Sequence, residues 1–180
     1  MSKAACVAAA LMVLSAGTGF AQAPAGPPKP SPEQQRLGYF VGTWHNEGEI
    51  KPNAFMPAGK MTSDSACAWF EGGYAVVCNS SGMSPMGPTK ELGILGYSSE
   101  EKVYTYAGVD NSPMTMTSVP RGTYEGGKWV YTDESKMGGK VVKSRYIINE
   151  TSPTAYTFKM EMQDEKGAWQ TFIEGTCTKK

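Results

Sequence analysis

Alternating polar and apolar residues begin at Gly42 and recur, with interruptions, to the end of the chain. From Gly42 to Ile50 one face carries Trp44, whereas the opposite face is wholly polar and includes His45. A period of two with one large aromatic residue on the inner face is typical of a β-strand that opens a closed barrel. A second clear alternation, at 154–163, places aromatic and methionine side chains on one face and polar side chains on the other.

Short runs of this kind follow one another, separated by turn signals such as Gly72-Gly73 and Gly126-Gly127. This spacing predicts an all-β fold, an antiparallel β-barrel of about 8–11 strands, because closure removes exposed strand edges. We expect strands at 42–51, 60–70, 74–81, 89–98, 102–109, 113–119, 121–125, 128–134, 140–149, 154–163 and 168–178.

One short N-terminal helix is predicted before the first strand. Ser31 is a helix N-cap, Pro32 suits the first helical position, and Gln34 can bond back to the cap. The helix should end near Gly38. The apolar residues at 37–40 can then plug one end of the barrel.

Residues 1–23 have the pattern of a bacterial secretory signal peptide. Lys3 supplies a positive charge, and 4–16 form an apolar stretch too short to span a bilayer. We therefore expect a periplasmic or secreted protein. Cleavage after Ala21, Ala23 or Ala25 stays open.

After the signal peptide, a Pro/Gly-rich leader at 24–32 precedes a single barrel domain at 33–180. The remaining length of about 157 residues suits one domain with a sizeable core. Without Lys3 the chain has 16 basic and 17 acidic residues. This balance gives no electrostatic reason to expect nucleic acid as a partner. No later stretch is long and apolar enough to span a membrane.

Three cysteines lie beyond residue 23. Cys67 is five residues before Gly72 and Cys78 is five residues after Gly73, so a hairpin turning at Gly72-Gly73 places them opposite each other. Opposed Cα atoms lie within disulfide range, and secretion supplies an oxidising compartment. We predict a structural Cys67–Cys78 disulfide, with two buried free thiols as the alternative. Cys177 is expected to be an unpaired, buried thiol.

The chain contains one histidine, His45. A Ser-His-Asp or Cys-His arrangement would require it, yet it faces outward if Trp44 faces inward. Histidine clusters for metals are excluded by the count, and neither acid pairs nor phosphate-binding glycine motifs stand out. We therefore assign no catalytic residue, metal ligand or cofactor, and favour a binding protein over an enzyme.

Aromatic and methionine side chains at inward positions could line a hollow barrel. Methionine fills irregular apolar cavities, although its thioether also binds Cu(I). Arg145 lies mid-strand among apolar residues and is a candidate cationic anchor, but Tyr146 beside it argues for the opposite face. The candidate cavity residues are Trp44, Met114, Met116, Trp129, Tyr131, Arg145, Phe158, Met160 and Trp169.

Several motifs in order resemble the bacterial family called domain of unknown function 1579. They are Phe40-Val41-Gly42-Thr43-Trp44, the segments 67–74 and 93–97, Gly122-Thr123-Tyr124, Ser144-Arg145 and the segment 156–160. The resemblance implies a lipocalin-like, calycin-type barrel without an established activity. The Gly-x-Trp strand is also similar, more distantly, to that of the haem-binding nitrobindins. Those proteins ligate iron through a late histidine, and this chain has none after His45.

These observations lead us to expect a non-enzymatic binder of a small, partly apolar ligand inside the barrel. The first alternative is a filled barrel that acts through its outer surface as an envelope interaction protein. A small cavity enzyme, which would need a buried carboxylate with an elevated pKa, is a further alternative, as is copper or haem binding. Whether the barrel is filled or hollow is left open, because eight strands can be filled by side chains while wider barrels hold ligands.

Overall fold

The computed structural model of the chain describes residues 28–54, 56–112, 118–137 and 139–180. Residues 1–23, expected to be a signal peptide, and the candidates Met114 and Met116 lie outside these ranges.

A single closed antiparallel barrel accounts for most of the described residues. Each strand pairs with its sequence neighbours, and the first strand pairs with the last, which confirms the predicted all-β barrel with one short helix. The strands are β1 (Gly42–Ile50), β2 (Gly59–Trp69), β3 (Val76–Ser84), β4 (Gly87–Ser98), β5 (Val103–Asp110), β6 (Arg121–Glu125), β7 (Lys128–Met137), β8 (Lys140–Ser152), β9 (Ala155–Gln163) and β10 (Trp169–Lys179). These ten correspond to all the expected strands except 113–119. Residues 113–117 of that segment lie outside the described ranges, and 118–119 form no strand.

The N-terminal helix α1 (Pro32–Arg36) lies at one end of the barrel, before the first strand. The predicted capping box is present: the Ser31 hydroxyl accepts from the Gln34 backbone N–H at 3.3 Å, and Gln34 Oε1 accepts from the Ser31 N–H at 2.7 Å. The helix continues as a 3₁₀ turn from Leu37 to Phe40. Leu37 is fully buried and Phe40 is 5% exposed, so these apolar side chains form the floor.

Trp44 of β1 holds this floor in position through a hydrogen bond and ring packing. Its indole Nε1 donates a buried hydrogen bond to the Phe40 carbonyl at 2.7 Å. Its ring is 2% exposed and packs against Tyr39 and Tyr156. Gly42, two residues earlier, has a φ of +128°, a conformation that L side chains rarely adopt. The glycine is therefore required where the chain turns from the floor into the wall.

The Cys67–Cys78 disulfide is present, with the two residues paired across β2 and β3. The hairpin loop is longer than the predicted two residues, because the Phe70 N–H bonds the Ala75 carbonyl and leaves 71–74 as the turn. The register of β2 against β3 is the predicted one, because the turn gains one unpaired residue before Gly72-Gly73 and one after it. Cys177 is buried and unpaired, and burial raises its pKa to about 11.

The seam between β5 and β6 is the shortest in the barrel. Among the described residues, Tyr104–Gly122 and Thr105–Arg121 are the two pairs there. The Tyr106 N–H also donates at 3.2 Å to the carbonyl of Pro120, the residue before β6. The end of β5 that carries Asp110 lies at the end of the barrel opposite the helix.

An aromatic ring lies over a pair of facing glycines on the inner wall. Gly48 of β1 faces Gly175 of β10, and Gly175 also faces Phe158 of β9. A Cβ at Gly175 would lie 2.7 Å from Phe158 Cζ and 2.2 Å from the Glu47 carbonyl oxygen. Contacts this short leave no space for a side chain, so bare backbone is what lets the Phe158 ring lie across the wall.

We expect Gly175→Ala to lower the free energy of unfolding by about 1–3 kcal/mol, the usual range for overpacking. Urea denaturation of the purified protein measures this. Gly96→Ala is the matched control, because its Cβ would meet only the Thr105 hydroxyl, at 3.0 Å. Equal stability of the two variants would contradict the packing argument.

Candidate functional site: a cavity in the barrel

The barrel encloses a cavity of about 450 Å³ above the aromatic floor. This volume lies within the range of about 300–1,000 Å³ typical of small-molecule sites, and far exceeds the share of one water, about 30 Å³. Its described lining comprises Phe40, Trp44, Asn46, Met61, Ser63, Ser65, Cys67, Cys78, Ser80, Glu91, Leu95, Tyr106, Asp110, Pro120, Tyr131, Tyr146, Ile148, Tyr156, Phe158, Met160 and Ile173. The interior is hollow.

The wall formed by β7–β10 is mainly aromatic and apolar. Burial is the largest cause that raises the pKa values of Tyr131, Tyr146 and Tyr156 above that of free tyrosine. These phenols therefore keep their protons at neutral pH. They offer a ligand both ring faces and neutral hydroxyl groups.

The lining from β1–β3 combines polar groups with Trp44, Met61 and the Cys67–Cys78 disulfide. The Ser65 and Ser80 hydroxyl groups are hydrogen-bonded to each other at 2.8 Å, and the Asn46 amide donates to Ser65 Oγ at 3.3 Å and to the Ser63 carbonyl at 3.4 Å. The lining is therefore mostly apolar, with the serines and Asn46 as a polar patch on this side. Such a lining suits a ligand that is itself amphipathic.

The Tyr131 hydroxyl has no hydrogen-bond partner among the described residues. The side chain is only 3% exposed and lines the cavity. A buried polar group left without a partner costs about 1–3 kcal/mol, so native proteins rarely contain one without a reason. Gly122 opposite allows this position, because a Cβ there would lie 2.6 Å from the Tyr131 ring.

Glu91 of β4 and Asp110 of β5 face each other at the end of the cavity away from the helix. Glu91 is partly buried and accepts a hydrogen bond from the Tyr106 hydroxyl. Burial, and secondarily the Asp110 carboxylate, raise the pKa of Glu91 above its ordinary value. Asp110 is exposed at the rim, where it accepts a hydrogen bond from the Ser112 N–H at 2.8 Å.

Tyr106 reaches Glu91 because a second pair of facing glycines, Gly93 and Gly108, lies beneath its ring. A Cβ at Gly93 would meet the Tyr106 hydroxyl oxygen at 2.6 Å, and one at Gly108 would meet it at 3.2 Å. The ring therefore lies along the wall, with its hydroxyl directed to the end of the cavity.

Of the residues predicted to line a cavity, Trp44, Tyr131, Phe158 and Met160 do so. Their binding of a ligand stays a prediction. Trp129 is fully buried but lies in the floor, where its ring packs on Phe40 and its indole donates to Glu150 Oε1 at 2.8 Å.

Arg145 and Trp169 do not line the cavity, contrary to expectation. The neighbouring Tyr146 and Ile148 point into the barrel, so alternation directs Arg145 outward. There its guanidinium pairs with Glu161 and stacks 4.3 Å from the centre of the Trp169 ring. The ion pair and the stacking stabilise Arg145 and Trp169 on the outer face, in place of burial in the cavity.

His45 faces outward, as the alternation predicted. Its Nδ1 lies 2.7 Å from Asp64 Oδ1 on the exposed face. Within the part of the chain that the structure describes, no three His, Cys, Asp or Glu side chains converge as a metal site would require. Among the same residues, no helix is long and apolar enough to cross a membrane.

The sequence pattern did not predict that Glu91, Asp110, Tyr106 and the serines of β2 and β3 line the cavity. In β4 the apolar pair Leu92 and Ile94 would normally be assigned to the interior. The structure turns them outward, 39% and 42% exposed, and places Glu91 and Gly93 inside. The spacing of Gly93 and Leu95, two residues apart, indicated which face of β4 is the interior, since both residues are buried.

Comparison with known proteins places the chain in a family. The family of proteins of unknown function DUF1579 matches residues 29–179. The chain belongs to this family. No curated protein sequence matches it.

Solved structures similar to this DUF1579 protein share its fold at low sequence identity. Rv2717c from M. tuberculosis has a TM-score of 0.57 and 12% identity, with coverage of 84% of this chain and 99% of that one. The S-type phycobiliprotein lyase CPES from Guillardia theta has a TM-score of 0.54 and 13% identity, with coverage of 81% and 90%. At such identities the likeness establishes the barrel fold.

We expect Glu91→Gln to stabilise this DUF1579 protein at pH 7 and to have less effect at pH 4. The raised pKa means that the folded state binds the Glu91 proton more tightly than the unfolded state. The associated stability is complete below the unfolded pKa and is lost as pH rises through the folded pKa. Glutamine does not titrate and still accepts from Tyr106.

The measurement is the melting temperature at both pH values, with an expected gain at pH 7 of about 2–4 °C, which corresponds to about 1 kcal/mol in a domain of this size. Glu134→Gln is the control, because Glu134 is exposed and pairs with Lys143 at 3.0 Å. An equal gain at both pH values would refute the assignment to Glu91 ionisation.

Proposed function

We propose that this protein is a periplasmic or secreted, non-enzymatic carrier of a small, partly apolar molecule held inside the barrel. The observation that carries the proposal is the cavity of about 450 Å³, whose lining includes Tyr131 with its unpartnered hydroxyl. A ligand with one polar atom near that hydroxyl would remove the cost of leaving it unsatisfied. The aromatic wall would bury the apolar part of the same ligand.

The arrangement of the cavity favours binding over catalysis. Tyr131, Tyr146 and Tyr156 hold their protons, and the single histidine lies on the outer face. Glu91 meets one condition for a cavity enzyme, a partly buried carboxylate with a raised pKa. The Tyr106 hydroxyl donates to it and Asp110 faces it as a second acid, so the described residues of the site offer no activated nucleophile.

Secretion is part of the proposal and is supported by two features. The signal-like residues 1–23 would be removed during export. The Cys67–Cys78 disulfide belongs to the kind of bond that persists in oxidising compartments. A protein of similar fold is named a phycobiliprotein lyase, and a fold by itself does not fix a function.

Native mass spectrometry of the protein isolated from its own host tests both parts of the proposal. We expect a chain lacking about the first 23 residues, together with a non-covalent adduct that is lost on denaturation. Ser63→Phe should abolish the adduct, because this side chain would project into the cavity. Thr62→Phe, the next residue on the outer face, is the matched control and should retain it.

An intact N-terminus would overturn the proposed export. A wild-type protein without an adduct, or an adduct that survives Ser63→Phe in a folded protein, would overturn the proposed carrier role.

The second candidate function is an interaction surface on the outside of the barrel. Leu92 and Val109 face each other across β4 and β5, with Ile94 on the same face, and the three are 39%, 59% and 42% exposed. An apolar patch of neighbouring side chains is uncommon on a surface that faces only water.

If this patch joins copies of the chain, sedimentation should show the wild-type mass rising with concentration. The triple variant Leu92→Thr, Ile94→Thr, Val109→Thr should remain monomeric. Val141→Thr is the control, since Val141 is 62% exposed on β8. A wild-type protein that stays monomeric at every concentration would remove this candidate.

A further inference from the structure

We propose that the ligand is an organic cation, an amine with an apolar or aromatic body, whose ammonium group is held by Glu91 and Asp110. The inference rests on the proposed carrier function and adds the charge of the ligand and the end of the cavity at which it binds.

The lining of the cavity carries acidic groups without basic ones. Glu91 and Asp110 are among the described residues that line it, and none of these residues is lysine, arginine or histidine. Lys90 is next to Glu91 in sequence, but alternation directs it to the outer face. Within the cavity, no described basic side chain balances the two carboxylates, and a bound cation would do so.

Glu91 and Asp110 differ in this respect from acids on the outer wall. Glu134 pairs with Lys143 at 3.0 Å, and Glu174 pairs with Lys51 at 3.2 Å. Glu91 and Asp110 form no ion pair with any described residue, although they face each other directly. Like charges opposed across a strand pair are destabilising, so this pair lowers stability without a compensating ion pair among the described residues. Local arrangements of this kind are expected at functional sites.

The groups around the two acids suit an ammonium ion. Tyr106 of β5 donates to Glu91, Ser80 of β3 faces Glu91 across the sheet, and Tyr146 lines the same cavity. An ammonium group has three donors, and the carboxylate and hydroxyl oxygens here are acceptors. Tyrosine ring faces also attract cations.

The remainder of the cavity fits the rest of such a molecule. Phe158, Ile148 and Leu95 supply apolar contacts between the acids and the floor. Tyr131 is 3% exposed, and its unpartnered hydroxyl is a second polar group beside this apolar region. The burial that raises the pKa of Glu91 would be offset by a bound cation, which favours the ionised carboxylate.

Calorimetric titration with three probes of matched shape tests the inference: naphthylethylamine, naphthylethanol and naphthylacetate. We expect the amine to bind wild-type protein about 10- to 100-fold more tightly than the alcohol, the usual gain from hydrogen bonds to charged groups. The acetate should bind most weakly, because its carboxylate meets two others. This order of affinities is measured on the wild-type protein alone and requires no variant.

The double variant Glu91→Gln, Asp110→Asn should lose the preference for the amine and still bind the alcohol. Glu134→Gln, which removes an exposed acid of the outer wall, should keep the preference. Ser63→Phe should abolish binding of all three probes and Thr62→Phe should not, which places the binding in the cavity and excludes the outer surface.

Equal affinity for amine and alcohol would overturn the cationic ligand and leave the carrier function standing. A preference for the amine that persists in the double variant would overturn the assignment to Glu91 and Asp110. Failure of all three probes to bind would overturn the inference for this class of ligand, whereas the carrier function is judged separately by the adduct on protein from the host.

Discussion

The hydrogen bond from the Trp44 indole to the Phe40 carbonyl is the interaction on which the rest of the structure depends. It is 2.7 Å long and buried, and it joins the N-terminal turn to the first strand. Because it holds Trp44 inward, it sets which residues of β1 face the interior and which face solvent. It also keeps Phe40 and Leu37 in one end of the barrel, so the cavity has a closed floor and an acidic opposite end.

Above this floor, the side chains that line the cavity differ from one side of the barrel to the other. Serines and Asn46 satisfy one another on β1–β3, whereas tyrosines, Phe158 and Met160 form the facing wall. Two pairs of facing glycines make this arrangement possible, since Phe158 and Tyr106 lie across backbone that carries no side chain. The same packing brings the Tyr106 hydroxyl to Glu91. The glycine pairs that let the aromatic rings pack against the wall therefore also contribute to the chemistry of the cavity.

Much of this architecture could be predicted from short stretches of sequence. The capping box at Ser31, the phase of β1 and the Cys67–Cys78 pairing depend on neighbours along the chain or on one hairpin. Local rules suffice for such features. Arg145 shows where they fail: the strand pattern left its face open, and the outcome was decided by Tyr146 pointing inward and by Glu161 and Trp169, which are distant in sequence.

The sequence by itself determined an antiparallel barrel with a plugged end, a hairpin disulfide and an outward-facing histidine. Only the tertiary structure decided that the barrel is hollow, because cavity volume depends on how side chains from all the strands fill a shared space. It also decided the phase of β4, where Leu92 and Ile94 face solvent and Glu91 faces the cavity. Alternation gives a strand two faces, and contact with neighbouring strands selects which one becomes the interior.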